Sequence, residues 1–363
     1  MTQAEIERST DQPRAATERN LSIDAHFQRL AEAHVPKYRF GVAGPRDFKT
    51  WQRELLPQVR ALLGEAPETV NLNPELIVEW QEHGLIKEKV VFDVEPGLSV
   101  HAYVFRPADA KGPLPGILCC HGHGRAGKEA VMGTALDAAG QQETAALNYA
   151  YGLEMAKAGF ATIAIDWRGF GDRDDRRKPH HHDVIGNRDI CNVHYLRETI
   201  LGRTVLGANV HDGKRALDYF CQQDFVDGER IGVMGLSFGG TMTTWMALCD
   251  ERIKAADIIC YADRFADFGM RDVNFCGSQI VPGLYALCDL PDLHGLIAPR
   301  PLLVEVGVHD QCFRVQSAMS CYRETEKIYE AAGVRNRLEL DLFPGSHAWG
   351  ANKSVAFFQT ALG

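Results

Sequence analysis

From residue 115 onward, short apolar runs alternate with longer amphipathic runs. Short runs rich in β-branched residues predict buried strands, and apolar residues at helical spacing predict helices. The predicted strands cover residues 115–120, 160–165, 230–234, 255–260, 301–307 and 337–342. The predicted helices cover about 143–158, 203–220 and 317–332, and others begin at 238 and about 353. This alternation favours an α/β fold with a mostly parallel, doubly wound sheet and helices on both faces.

Upstream of these units the pattern changes to a two-residue alternation. Residues 85–94 and 99–106 alternate apolar and polar positions around Pro96-Gly97, which predicts an antiparallel hairpin. With this hairpin the expected sheet has about eight strands. Residues 22–80 contain helix-like runs instead. The expected organisation is a flexible polar tail, an N-terminal helical segment and a catalytic domain, over residues 1–20, 21–84 and 85–363.

The clearest run of the helical segment covers residues 49–63 and carries an apolar stripe. Trp51, Leu55 and Val59 recur there at helical spacing, and Pro57 interrupts the run. Such a stripe cannot stay exposed on a soluble monomer without a risk of association. We expect it to pack on the catalytic domain near the mouth of the pocket, with a homodimer contact as the alternative.

Composition restricts the class of partner. The chain has 363 residues, of which 45% are hydrophobic and 24% charged, and no apolar run is long enough to span a bilayer. The net charge of −9 disfavours nucleic acid and anionic membranes as partners. The first twenty residues lack the apolar stretch of a signal peptide, and the 10 cysteines form no C-x-x-C pair. We therefore expect a cytoplasmic protein with reduced cysteines.

One glycine-rich turn carries the candidate chemistry. A strand-like run ends in Gly235-Leu236-Ser237-Phe238-Gly239, and a helix-compatible run follows at once. A strand, a tight turn that carries a serine, and a helix together form a nucleophile elbow. The two glycines suit this turn, because side chains there would crowd the neighbouring strand and helix. Ser237 is therefore the predicted nucleophile.

A serine nucleophile needs a base and an acid that orients the base. His347 lies in the loop between the last predicted strand and the last helix, from which it can reach the serine. Asp310 follows the strand over 301–307, the usual place for the acid. Asp263 ends the preceding apolar strand and is the alternative acid. The predicted triad is Ser237, His347 and Asp310.

Two backbone N–H groups are predicted to bind the oxyanion. The first belongs to Phe238, the residue after the nucleophile. The second comes from the H-G-H-G loop at 121–124, where His123 is the preferred donor and Gly124 the next. Two histidines in a turn without carboxylate or cysteine partners make a poor chelate, so no metal is expected.

These motifs together resemble the α/β-hydrolases of the dienelactone-hydrolase and acetyl-xylan-esterase-like branch. The resemblance rests on H-G-H-G at 121–124, D-W-R-G-F-G at 166–171, G-L-S-F-G-G at 235–240, A-P-R-P-L-L at 298–303 and G-S-H at 345–347. It implies the α/β-hydrolase fold and a serine hydrolase of small acyl esters, including acetylated carbohydrates, without a cofactor. True dienelactone hydrolases have a cysteine where Ser237 stands, which argues against dienelactone as the substrate.

Two segments are longer than connections need to be, namely 172–203 and 267–296, and are candidate lid elements. The first contains the triplet His180 to His182, which we interpret as a solvated loop rather than a metal site. The substrate class has alternatives, because the same triad can cleave amides or the carbon–carbon bonds of β-diketone-like compounds. A non-catalytic binding protein on the same fold is the least favoured alternative.

Overall fold

The computed structural model describes residues 19–363 except positions 45, 135, 179, 182, 187 and 275. Most of the expected tail, together with His182 and Phe275, therefore lies outside the described residues. The chain divides into a short unit, Met1–His34, and a large unit, Val35–Gly363. In the short unit, helix α1 covers Ile23–Ala33, and the Ser22 hydroxyl caps it by accepting the Ala25 N–H at 3.1 Å.

The described residues of the large unit form a nine-stranded sheet with the strand order β1-β2-β3-β5-β4-β6-β7-β8-β9. The strands are β1 (Glu75–Glu82), β2 (Leu85–Glu95), β3 (Leu98–Pro107), β4 (Leu114–Cys120), β5 (Ala161–Ile165), β6 (Val226–Leu236), β7 (Ile253–Ile259), β8 (Leu302–Gly307) and β9 (Leu338–Phe343). Strands β1, β2 and β3 run antiparallel to their neighbours, and the rest are parallel. This confirms the predicted α/β-hydrolase architecture.

Helices cover both faces of the sheet. They are α2 (Phe48–Ala61), α3 (Lys128–Met132), α4 (Ala138–Ala146), α5 (Tyr151–Lys157), α6 (Ile190–Ile200), α7 (Val205–Phe220), α8 (Phe238–Cys249), α9 (Leu284–Leu287), α10 (Leu290–Gly295), α11 (Val315–Ala331) and α12 (Ser354–Leu362). Shorter 3₁₀ and π turns cover Gly171–Arg173, Phe265–Arg271, Gly277–Gln279 and Arg335–Arg337. No helix in the described part of the chain is long and apolar enough to cross a membrane.

The core lies in two layers, one on each face of the sheet. Along β4, Ile117 and Cys119 belong to one buried cluster, whereas Leu118 and Cys120 belong to the other. Successive side chains of a strand point to opposite faces, so a strand that is covered on both sides reads as a continuous apolar run. This is why the central strands were predictable from the sequence.

The sheet begins earlier than the expected boundary at residue 85. Strand β1 pairs antiparallel with β2, with Glu75 opposite Val91 and Glu82 opposite Leu85. The predicted helical segment over 21–84 is therefore wrong for its last residues, and the predicted sheet was one strand short. Strand β1 is exposed along almost its whole length, so no apolar-polar alternation marks it in the sequence.

Helix α2 contributes to the core of the large unit. Trp51, Leu55 and Val59 are fully buried, as their helical spacing predicts. Arg60 donates from Nε to the Leu248 carbonyl at 2.6 Å, near the C-terminal end of α8. Ser237 precedes the other end of α8, roughly 16 Å away along the helix. This contact of α2 therefore lies away from the nucleophile rather than at the pocket mouth, where it was expected.

Replacing Trp51 should test how firmly α2 is held. Its indole is buried, its Nε1 donates to the Tyr38 carbonyl at 2.7 Å, and its ring lies 5.1 Å from that of Phe40. We expect Trp51→Ala to lower the free energy of unfolding by about 3–5 kcal/mol, because it leaves a cavity and an unpaired carbonyl. Urea denaturation measures this change. The exposed Glu54 on the same helix is the control, and Glu54→Ala should change the free energy by less than about 0.5 kcal/mol.

Candidate active site

The elbow places Ser237 in a strained conformation between β6 and α8. Ser237 has φ 62° and ψ −119°, a region that residues other than glycine rarely adopt. Its N–H donates to the Ile259 carbonyl at 2.9 Å, which ties the turn to β7. A Cβ atom at Gly239 would lie only 2.0 Å from the Cys120 carbonyl oxygen. The glycine is thus required for the close approach to β4 that the motif predicts.

The loop after β4 lies directly against the serine. A Cβ atom at Gly122 would lie 3.3 Å from the Ser237 Cβ and 2.7 Å from the Tyr149 hydroxyl oxygen. The Gly122 N–H donates to that hydroxyl, so it is already occupied. His123 supplies the next N–H of the loop, and its ring centroid lies 5.1 Å from that of Phe238. The two residues predicted to bind the oxyanion are therefore neighbours in space.

His121 holds this loop in place. Its ring is fully buried, and its Nε2 accepts the Trp167 N–H at 3.0 Å. Because a backbone N–H can only donate, the ring proton lies on Nδ1, which donates to the Gly122 carbonyl at 2.7 Å. Burial lowers the pKa of His121 to about 4, so the ring is neutral near pH 7. This histidine positions the loop and is not a proton carrier.

The predicted acid and base are in contact. His347 Nδ1 lies 2.8 Å from Asp310 Oδ2, and the other carboxylate oxygen accepts the N–H groups of Cys312 and Phe313 at 2.7 and 3.0 Å. Burial would raise the pKa of Asp310, but the hydrogen bond and charge of His347 and these N–H groups outweigh it and hold the pKa below its usual value. Asp310 is therefore ionised and oriented toward the imidazole.

Asp263, the alternative acid, is engaged elsewhere. Its carboxylate accepts the Arg264 N–H at 2.7 Å and the Ser317 hydroxyl. Burial raises the pKa of Asp263 to about 7, so the carboxyl group is partly protonated at neutral pH. Between the two candidates, the structure thus brings Asp310 to His347.

Lys128, Asp166 and Asp172 form an ion cluster that supports the loop after β4. Lys128 is fully buried, and its Nζ lies 2.6 Å from Asp166 Oδ2 and 2.7 Å from Asp172 Oδ2. Asp166 also accepts the backbone N–H groups of Lys128 and Asp172, both at 2.8 Å. Although burial disfavours the charged ammonium, the two carboxylates raise the pKa of Lys128. Lys128 is therefore a structural cation.

Several residues at the site were not predicted from the sequence. The sequence predicts a single helix over 143–158, but the structure has two helices, α4 and α5, with a break between them. Asn148 adopts φ 47° in this break, and Tyr149 follows it. Asparagine tolerates this left-handed conformation better than most residues, which is the only local signal. The role of Lys128 has no local signal, because its partners lie about 40 residues downstream.

A cleft of about 480 Å³ opens beside the loop after β4. The residues that line it include His123 and Phe170, together with Ile190 and Cys191 of α6. Helix α6 belongs to one expected lid segment, and it contacts the other segment, since the Asn192 side chain accepts the Gly277 N–H at 2.9 Å. The two segments 172–203 and 267–296 therefore meet at the border of this cleft.

Glu305 lies inside β8 and supports the loop that carries His347. Its carboxylate oxygens accept the Gly350 N–H at 2.8 Å and the Ser354 hydroxyl at 2.6 Å. Burial, together with the nearby carboxyl of Asp341, raises the pKa of Glu305 to about 7, and the pKa of the adjoining buried carboxyl of Asp257 is raised as well. A raised pKa means that the folded state favours the protonated form.

This shift predicts a pH-dependent stability. The contribution of Glu305 to the free energy of unfolding should be fully present below about pH 4.3, the pKa of this group in the unfolded chain. It should be lost as the pH rises through about 7, the pKa in the folded protein. Glu305→Gln stays neutral at both pH values. Between pH 4 and pH 8, we expect the free energy of unfolding of Glu305→Gln to rise relative to that of the wild type by on the order of 2 kcal/mol. Urea denaturation at both pH values measures it, and an equal pH dependence of the two proteins would contradict the assignment.

The family follows from comparison with known proteins. The family model Abhydrolase_7, described as an Abhydrolase family, matches residues 7–331. The chain belongs to this family. It is a hydrolase of the α/β-hydrolase superfamily, as the elbow and sheet order indicate. The protein YtaP of Bacillus subtilis (strain 168), which carries a provisional hydrolase name, is 28% identical over 76% of this chain and 87% of its own length.

Solved structures share the fold. A protein from Bacteroides fragilis NCTC 9343, provisionally named an acetyl xylan esterase, superposes with a TM-score of 0.71 at 20% identity, over 91% of this chain and 84% of its own. A glucuronoyl esterase from Solibacter usitatus gives a TM-score of 0.66 at 17% identity, over 91% of this chain and 98% of its own. At this level of identity the likeness extends to the fold alone.

Proposed function

We propose that this hydrolase cleaves small carboxylic esters through an acyl-enzyme on Ser237. The observation that carries the proposal is the coincidence of three parts: a serine on a strained elbow, a loop of backbone N–H groups beside it, and the His347–Asp310 pair at 2.8 Å. Each part follows a different strand, and a purely structural role would not require them together.

The proposed reaction has two halves. His347 accepts the proton of Ser237 while the serine oxygen attacks the ester carbonyl, and Asp310 stabilises the imidazolium that forms. The N–H groups of Phe238 and His123 stabilise the oxyanion, and the alcohol leaves with the proton from His347. Water then attacks the acyl-enzyme, with His347 again as base. No metal or organic cofactor takes part in this scheme.

The substrate class is proposed from the size of the cleft and from the names of structural relatives. The cleft that His123, the proposed oxyanion donor, borders has a volume of about 480 Å³, which is in the range of small-ligand pockets. The two solved structures named above carry the names acetyl xylan esterase and glucuronoyl esterase, which supports acyl esters of small carbohydrates as the first class to test. The net charge of −9 disfavours nucleic acid and anionic membranes as partners. A soluble small molecule is the proposed substrate, and the cytoplasm is the proposed location.

A substrate panel tests this proposal. Purified protein should hydrolyse short acyl esters, among them acetylated sugars, faster than matched amides and β-diketones, and EDTA should not change the rates. Each rate should be compared with that of Ser237→Ala, so that background hydrolysis is subtracted. If an amide or a β-diketone were turned over faster than the esters, the proposed activity would be amide hydrolysis or carbon–carbon bond cleavage instead of ester hydrolysis. No turnover of any compound, with no labelling by a fluorophosphonate, would favour a binding protein.

A further inference from the structure

A second reactive cluster lies at the border of the cleft beside the loop after β4. It consists of His123 from the loop after β4, Cys191 at the start of α6 and Cys276 just before the turn Gly277–Gln279. The imidazole nitrogen and the two sulfur atoms all lie within 4.8 Å of one another. These residues are far apart in sequence, and only the meeting of the two lid segments brings them together.

Several proton donors converge on one sulfur atom of this cluster. His123 Nε2 lies 2.9 Å from Cys276 Sγ, and the Ser278 hydroxyl lies 2.8 Å from the same atom. The thiol of Cys191 is a third neighbour. A sulfur with three potential donors around it is stabilised as a thiolate, because each donor bond favours the charged form.

The electrostatics of the two cysteines agree with this geometry. The hydrogen bond from Cys191 lowers the pKa of Cys276 to about 4, against the effect of burial and with further help from His123. In contrast, Cys191 is buried and its pKa is raised by the neighbouring sulfur and by burial. Cys221, a half-buried cysteine at the end of α7, also has a raised pKa, because burial acts there without a comparable set of donors.

We propose that Cys276 is an oxidation site, a thiolate that reacts with hydroperoxides and then forms a disulfide with Cys191. The combination of a stabilised thiolate, partial exposure and a second thiol within reach is the pattern of redox-sensitive cysteines. A zinc site formed by the same three residues is less favoured. The distance of 2.9 Å between His123 Nε2 and Cys276 Sγ fits a hydrogen bond better than the separation of two ligand atoms bound to one zinc ion.

The chemistry is balanced with the hydroperoxide as the oxidant. The Cys276 sulfur attacks one peroxide oxygen, an S–O bond forms and the O–O bond breaks. The sulfur loses two electrons, and the departing oxygen takes a proton from the solvent. The Cys191 sulfur then attacks the sulfenic sulfur, an S–S bond forms, and the hydroxyl group leaves as water with the proton of the Cys191 thiol.

Oxidation at this position should affect the cleft. The disulfide would tie α6 to the segment that contains Gln279, whose side chain donates to the Thr241 hydroxyl of α8 at 3.0 Å. It would also remove the thiolate partner of His123, the residue whose N–H is proposed to bind the oxyanion. We therefore expect a lower esterase turnover in the oxidised protein, a consequence that rests on the proposed function, whereas the thiol chemistry does not.

Alkylation kinetics test the thiolate directly. Iodoacetamide labelling of the reduced full-length protein, followed by peptide mass spectrometry, gives the rate at each cysteine. The rate at Cys276 should stay nearly constant between about pH 6 and 8, whereas an ordinary thiol such as Cys221 should react about tenfold faster per pH unit. A rate at Cys276 that rises with pH as steeply as that at Cys221 would overturn the proposal.

Peroxide treatment tests the second step. The wild type should give a peptide that links Cys191 to Cys276 and that dithiothreitol removes. Cys191→Ser should instead accumulate a sulfenic acid at Cys276 that dimedone traps, and Cys221→Ser should behave as the wild type. Failure to form the linked peptide in folded protein would contradict the proposal. A metal site would replace the proposed oxidation site if the wild type bound stoichiometric Zn²⁺ and formed no disulfide, and if Cys191→Ser and Cys276→Ser each abolished the binding.

Discussion

Ser237→Ala should lower kcat for ester hydrolysis by about 10⁴–10⁶ and leave the fold intact. The alanine keeps the backbone of the elbow at φ 62°, including its contacts with β4 and β7, but removes the only atom that forms the acyl-enzyme. Steady-state kinetics on a short acyl ester measure the loss, and circular dichroism and the melting temperature report the fold.

The neighbouring hydroxyl group at position 346 provides a matched control. Ser346 precedes His347 in the same loop and its side chain is exposed. Ser346→Ala should keep kcat within a few-fold of the wild type, since no step of the scheme uses that hydroxyl. If Ser237→Ala retained substantial turnover after purification from a host without the wild-type gene, the serine mechanism would be wrong.

Asp310→Asn should lower kcat by on the order of 10⁴. The asparagine oxygen can still accept the N–H groups of Cys312 and Phe313, which places its NH₂ group toward His347. Nδ1 must then accept a hydrogen bond, so the ring proton moves to Nε2, and the imidazole cannot take the proton of Ser237. The pH–rate profile and kcat of the variant measure this effect.

Asp263→Asn distinguishes the two candidate acids. Its carboxyl group accepts hydrogen bonds from Arg264 and Ser317 and has a pKa raised to about 7, so asparagine resembles its protonated form. We expect less than a roughly tenfold change in kcat. If the two variants showed the reverse order of effects, the acid would lie one strand upstream of the position assigned to it.

The central sheet and the candidate triad could be predicted because their signals are local. Strands that are buried on both faces appear as uninterrupted apolar runs, and the residues at their carboxyl ends were therefore placed along one edge of the sheet. The structure accordingly places Ser237 after β6, Asp310 after β8 and His347 after β9. Strand β1 escaped prediction because an exposed edge strand carries no burial pattern.

Contacts between distant segments could not be predicted. The H-G-H-G turn offers no metal-ligand spacing in the sequence, yet Cys191 and Cys276, from two distant segments, approach His123 in space. A lysine is ordinarily expected at the surface, but two carboxylates compensate the charge of Lys128 and allow its full burial. Both cases depend on tertiary pairing, which residue spacing along one chain does not encode.

Trapping the acyl-enzyme tests the proposed serine mechanism. The protein should be mixed with an activated acetyl ester, quenched with acid within the first turnovers and analysed by peptide mass spectrometry. We predict one acetyl group per chain on the peptide that contains Ser237, much less of it in Asp310→Asn, in which acylation is slowed, and none in Ser237→Ala. Ester turnover without any acetylated Ser237 peptide, or an acetyl group that persists in Ser237→Ala at full stoichiometry, would contradict it.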